Sequence, residues 1–290
     1  MTGHLQFFEN PKGKRSLLDV FIGSLVGPLF KSSALSLFIL FISHIQRTSI
    51  HITITETFFT ETETFGKPFY KFATWPTKYF ITGYLKSKYM LLALSIPAML
   101  SILVLIVFLL VIFIQGWMHQ KNKDLSVNFR KAGFIYQAVF FSLFHCIFLG
   151  IIQNDTQVQQ TLETSINTHA LKVVFWIFEI LNIALATLFV CFCYEPLHFT
   201  YDVLAKRSRT CSVMSFATKV VCIFFLVFVS DRTKNNVLTS VSAIVFELVS
   251  FYAFASRLPY YNLKPIKLEG TLSYVNISIC LFNLLLIPLS

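Results

Sequence analysis

Of the 290 residues, 55% are hydrophobic and only 13% are charged, and 33 are phenylalanine. A soluble domain carries about 25% charged residues, so this composition excludes a globular domain with one anchor and describes a polytopic membrane protein. The formal net charge is +10, yet the bases come in threes and fours between apolar runs, which fits topology signals and excludes a nucleic-acid surface.

Residues 1–24 form a basic tail, with Lys12, Lys14 and Arg15 together, followed by SLLDVFIGSL. In that stretch Leu17, Leu18, Phe21, Ile22 and Leu25 share one helical face and Asp19 lies off it, the pattern of an amphipathic helix in the bilayer interface. A secretory signal is the rival reading, but Asp19 and Lys31 interrupt what would be its apolar core. The first span is expected at 25–45, with Lys31 near enough to its end to reach the headgroups.

Between Arg47 and Lys88 lies the one long loop. IHITIT alternates with the period of a strand, and TETFFTETETF is a low-complexity Thr/Glu run. The carboxylates of Glu56, Glu61 and Glu63 lack a calcium-loop spacing and read as a solvated charge run. Tyr70, Trp75 and Tyr79 form an interfacial aromatic group.

Tyr89 to Trp117 is twenty-nine residues without a charge and with an aromatic ring at each end. About 20 apolar residues cross a bilayer core, so 89–117 is the surest span and the anchor of the reading. KNKDLSVNFRK follows as a short basic loop, then a third span at 132–152 that carries His145. The next loop has no Lys or Arg and holds Asn154 in a glycosylation sequon, two features of the non-cytoplasmic side. In the fourth span, 170–194, Lys172, Glu179, Asn182 and Ala186 fall on one face, which must look inward because lipid would not tolerate it.

A polar loop with Lys206, Arg207 and Arg209 leads to spans at 211–230, 237–254 and 271–289. The expected fold is therefore an all-α polytopic transmembrane helical bundle of about seven spans, residues 25–290, preceded by the interfacial helix. With the N-terminus inside, the inner segments hold thirteen Lys and Arg and the outer ones eight, most of these in the long first loop. That count favours a cytoplasmic N-terminus.

All six cysteines (146, 191, 193, 211, 222 and 280) lie in or beside apolar runs and suggest no disulfide framework. Cys211, next to KRSRT, is a palmitoylation candidate. The sequence contains no Gly-rich phosphate loop, metalloprotease helix, Cys-x-x-Cys or nucleophile elbow. The expectation is a non-enzyme without catalytic, cofactor or metal residues.

The informative residues are intramembrane and polar. Ser212, Ser215, Lys219 and Cys222 fall on one face of the fifth span, and Ser240, Ala243, Glu247 and Ser250 on one face of the sixth. A short turn makes these helices antiparallel neighbours, and Lys219 and Glu247 lie at nearly one depth, so an ion pair between them is expected. Two readings stand: a packing bridge, or an ion or proton path lined by Lys219, Glu247, Glu179 and His145.

From about Tyr79 onward the chain resembles the multi-span membrane region of the tiny macrocysts protein B-like proteins of protists. The resemblance rests on CYEPLHFTYDVLAKRSRTCSVMSFATKVVCIFF, on SRLPYYN at Ser256–Asn262, and on the basic exit from the long second span into a Phe-rich one. In those relatives such a region precedes cytoplasmic PAS sensor domains. The resemblance implies the transmembrane module of a signalling protein or assembly, with the bilayer and a cytoplasmic signalling partner as its partners. This sequence contains no PAS-like segment, so only the membrane module carries over. It is expected to be a standalone version, a chain short of a downstream soluble domain, or a subunit. The alternative function is an ion channel or transporter subunit.

Overall fold

A computed structural model of the chain describes residues 23, 25, 26, 33–59, 88–118, 123–153, 168–192, 204–228 and 236–286. Most of the expected interfacial helix, the Glu61 and Glu63 run, the aromatic group at 70–79, the Asn154 sequon and Cys193 lie outside those residues. The described residues form helices and no strand: α1 (Ser33–Phe59), α2 (Lys88–Trp117), α3 (Lys123–Ile135), a π segment (Tyr136–Phe140), α4 (Phe141–Gln153), α5 (Thr168–Phe192), α6 (Thr210–Phe228), α7 (Asn236–Arg257) and α8 (Leu263–Leu286). The α3–π–α4 run is one continuous span, so seven helices are long and apolar enough to cross a membrane. The protein is a multi-pass membrane protein. Helices satisfy every backbone group internally, which is what the hydrocarbon core demands.

The helices pack as two groups sharing α6. In one, α1, α8, α7 and α6 follow each other around a ring; in the other, α4 packs against α5, α6 and α2. The third span is the centre of the molecule, with 72% of its apolar window buried, whereas α2 has only 22% buried. The helix surest from sequence is thus the most peripheral. Its uniform greasiness suits a lipid-facing position, because a helix without a polar face has nothing to hide from lipid.

Around the third span runs an aromatic ladder. Phe129 meets Phe189 at 5.3 Å, Phe189 meets Tyr136 at 5.9 Å, and Tyr136 meets Phe144 at 6.0 Å between ring centroids. Phe148 continues it to Phe175 of α5. Gly133 permits this packing: a Cβ there would lie 2.2 Å from the Phe189 ring.

The structure corrects three boundaries. The first span lies at Ala34–Ile54, not 25–45, so Arg47 and His51 join His44 inside it. IHITIT is helical, not extended, even though Ile and Thr lose rotamer freedom in a helix. Inside a bilayer the alternative would leave backbone groups unpaired, and that cost outweighs propensity. The third span begins at Asp124 and the seventh at Leu263, so much of two expected basic loops is helix. Asp124 in the first turn of α3 complements the positive end of its dipole.

At one end of the bundle, residues 204–210 clasp the α7–α8 connection. Arg207 N–H donates to the Pro259 carbonyl (2.6 Å) and Tyr261 N–H to the Ala205 carbonyl (3.2 Å), around an antiparallel bridge between Lys206 and Tyr260. Pro259 ends α7, and Leu258 turns the chain at φ 39°, a conformation unfavourable for a branched side chain. Lys206 lies over the Tyr260 ring at 5.0 Å and Arg207 over Tyr261 at 5.2 Å. The SRLPYYN and AKRSR stretches thus form one basic cap.

Candidate functional site

The first polar centre lies in the α1, α6, α7 and α8 ring. On α1, Arg47 and His51 are one turn apart and therefore project to the same side. Both meet Glu247 of α7. The Arg47 Nε and Nη2 donate to the two carboxylate oxygens, with Nε to Oε1 at 2.5 Å, and His51 Nε2 lies 2.7 Å from Oε1. Arg47 is 2% exposed and Glu247 0%, so the pair is sealed from both solvent and lipid. A forked guanidinium matches a carboxylate with two parallel hydrogen bonds, the geometry that compensates desolvation best.

The remaining groups extend this centre to the other helices. Arg47 Nη1 donates to Ser215 Oγ of α6 at 3.0 Å. His51 Nδ1 faces Cys280 Sγ of α8 at 3.4 Å, and Asn283 Nδ2 donates to the His51 carbonyl at 3.2 Å. Thr48 donates to Asn276 Oδ1 at 2.7 Å. One carboxylate on α7 therefore ties four helices together.

Lys219 does not pair with Glu247. Its Nζ donates to Ser43 Oγ of α1 at 2.7 Å, and no carboxylate lies within salt-bridge distance among the described residues. The expected faces are nonetheless present, since Lys219, Cys222, Ser240, Ala243, Glu247 and Ser250 are all buried. The partner differs because α1 inserts beside α6 and α7 and offers a planar, permanently charged guanidinium.

The second polar centre lies between α4, α5 and α6. His145 Nδ1 and Glu179 Oε1 share a hydrogen bond, and His145 Nε2 faces the Val220 carbonyl at 3.1 Å. Asn182 Nδ2 lies 3.5 Å from Glu179 Oε2, and the Tyr136 hydroxyl donates to Asn182 Oδ1 at 2.5 Å. Glu179 and Asn182 are three apart on α5, hence on one face. Sequence reasoning grouped His145 and Glu179 as candidate path residues without pairing them.

Tyr136 is aimed by the π segment, whose wider turn shifts the register of the third span. Phe141 N–H donates to the Tyr136 carbonyl, five residues back. Such a bulge leaves a neighbouring carbonyl without its usual partner, and Gln46 Nε2 from α1 donates to the Val139 carbonyl at 2.7 Å. Bulges of this kind recur at functional positions. No sequence signal marked this one.

Near the cap, Cys211 Sγ donates to Glu269 Oε1 of α8 at 3.3 Å and is 2% exposed. That burial removes it as a lipidation site, since acyl transfer needs an accessible thiol. Tyr260 is buried beside the same carboxylate, and burial and then the Glu269 charge raise its pKa well above the usual value. No group of three metal-ligating side chains occurs among the described residues.

Comparison with family models, with curated proteins and with solved structures finds no match to the chain.

Proposed function

We propose that this chain is the transmembrane module of a signalling assembly, which passes a state across the bilayer by rearranging helices about Glu247. The observation carrying this reading is that one sealed carboxylate joins α1, α6, α7 and α8, while the ends of α6, α7 and α8 build the clasped basic cap. A change in the charge or partners of Glu247 therefore has a mechanical route to the cap. The cap's exposed Arg207, Arg209, Arg257, Lys264 and Lys267 suit a cytoplasmic partner or an anionic leaflet. The likeness of SRLPYYN and the CYEPLHFTYDVLAKRSRTC region to the membrane part of PAS-containing protist proteins supports the same reading.

A second reading, an ion channel or transporter subunit, is favoured by the number of buried ionisable groups. It is opposed by their sealing: Arg47, Glu247, His145 and Glu179 are each at most 2% exposed, whereas a conduction path is lined by water-accessible groups.

Spin labels on Arg207→Cys and Lys267→Cys, with the protein in nanodiscs, report the cap's geometry. The signalling reading expects Glu247→Gln to change the label distance, with no proton or alkali-cation flux through the unmodified protein in proteoliposomes. A flux that Glu247→Gln abolishes, with an unchanged cap, overturns it in favour of conduction.

A further inference from the structure

The two histidine–carboxylate pairs differ in one respect. Glu247 has a guanidinium as counter-ion and Glu179 has none among the described residues. That difference fixes how many protons each pair needs.

A neutral imidazole carries one N–H and one lone pair. At His145 both ring nitrogens face acceptors, Nδ1 the Glu179 carboxylate and Nε2 the Val220 carbonyl. With a single proton shared by the pair, either choice of tautomer sets two lone pairs face to face. With two, both contacts become hydrogen bonds. The pair is then either imidazolium with carboxylate, or imidazole with carboxylic acid, and in both forms its net charge is zero.

The surroundings require that neutrality. From α5 come Glu179 and Asn182; from α6 the Val220 carbonyl, with the adjacent Lys219 directed to Ser43 instead. From the third span come Tyr136, Cys146, and Phe141, whose ring stacks on His145 at 5.4 Å. Between Ala93 and Trp117, α2 brings no ionisable side chain. A lone negative charge here would be buried against the Phe141 ring with no counter-ion among the described residues to offset its desolvation. The Tyr136 to Asn182 to Glu179 chain donates into the carboxylate without supplying charge.

At the first centre the same count gives a different answer. Arg47 neutralises Glu247, His51 Nε2–H donates to the carboxylate, and the Cys280 thiol is placed to donate to Nδ1. Those contacts are satisfied without a further proton.

We infer that the His145–Glu179 pair is a proton-binding site in the bundle core, holding two protons between its two side chains where the Arg47-paired histidine centre has no such requirement. The bound ligand is the second proton, and its loss would leave a buried anion that the α4–α5 contact cannot keep dry. This inference stands independently of the signalling reading.

The test is nitrogen NMR of the full chain in nanodiscs at neutral pH with ¹⁵N-labelled histidine, with His145 assigned by the signal lost in His145→Gln. Infrared difference spectra against Glu179→Gln report the Glu179 carboxyl. Two protons are expected in total: two ring N–H groups with an ionised carboxyl, or one with a protonated carboxyl. In Glu179→Gln the imidazole should carry one ring proton, and in Glu247→Gln the His145 signal should be unchanged. One ring N–H beside an ionised Glu179 overturns the inference, as does any other total.

Discussion

Glu247 is gripped through both carboxylate oxygens by Arg47, a residue 200 positions earlier in the chain, and Lys219, on the helix adjoining Glu247's, turns to Ser43 instead. The partner choice follows from chemistry. A guanidinium spreads its charge over a plane that fits a carboxylate, whereas an ammonium is a point charge that loses more hydration on burial. Once Arg47 occupies both oxygens, a second cation at Glu247 would have only His51's side of the carboxylate to approach.

Lys219 is therefore dispensable for stability. Lys219→Met removes a buried amine without orphaning a carboxylate, and its melting midpoint in detergent should lie within the equivalent of ~1 kcal/mol of the unmodified protein, or above it. Damage as large as that of Glu247→Gln would show that Lys219 belongs to the same ionic unit.

Gly133→Ala forces a methyl into the space of the Phe189 ring. Overpacking of this kind costs about 1–3 kcal/mol, and Phe189→Leu in the same chain should recover part of it by vacating that space. Thermal unfolding of the two single variants and the double measures this. Strictly additive losses would mean the helices do not approach at Gly133.

Much of the fold was legible because lipid leaves few options. The 89–117 run was unmistakable, and the inward faces of the fifth and sixth spans followed from their spacing of small and polar residues. The first span was misplaced because Arg47 was read as the start of the long loop, although His44, Arg47 and His51 all lie inside the helix. They are one face of a helix, with Arg47 three residues after His44 and four before His51, and that spacing was the available signal. What the sequence could not show is which charge meets which. Arg47 with Glu247 and His145 with Glu179 are tertiary choices, made by the order in which helices pack. The π segment was equally hidden, since YQAVF carries no breaker residue.

Tyr260 makes the cap sensitive to alkali. Burial, followed by the Glu269 charge, raises its pKa in the folded protein, so the folded state keeps a proton that the unfolded state releases near pH ~10. Its contribution is present below that pH and lost as pH rises beyond it. Tyr260→Phe should flatten the alkaline limb of a stability profile while lowering stability at neutral pH through the lost hydroxyl contact with Glu269. An unchanged alkaline limb would contradict this origin.

From the charge asymmetry of the loops we predict the basic cap inside and residues 153–169 outside. With the native cysteines replaced, Arg207→Cys should resist a membrane-impermeant thiol reagent on intact cells, and Thr161→Cys should react. Arg207 is exposed, so protection there reports sidedness and not burial. The reverse pattern would invert the topology.

The ionic contact between Arg47 and Glu247 holds the four-helix centre together, and a double-mutant cycle tests it most directly. Arg47→Met and Glu247→Gln each leave a partner without its counterpart in a sealed site, and each should cost about 3–5 kcal/mol of stability in detergent or nanodiscs. The double variant should recover most of one loss, because neither charge then remains unpaired. Losses that simply add would show that Arg47 and Glu247 do not meet, and the four-helix centre built on them would fall.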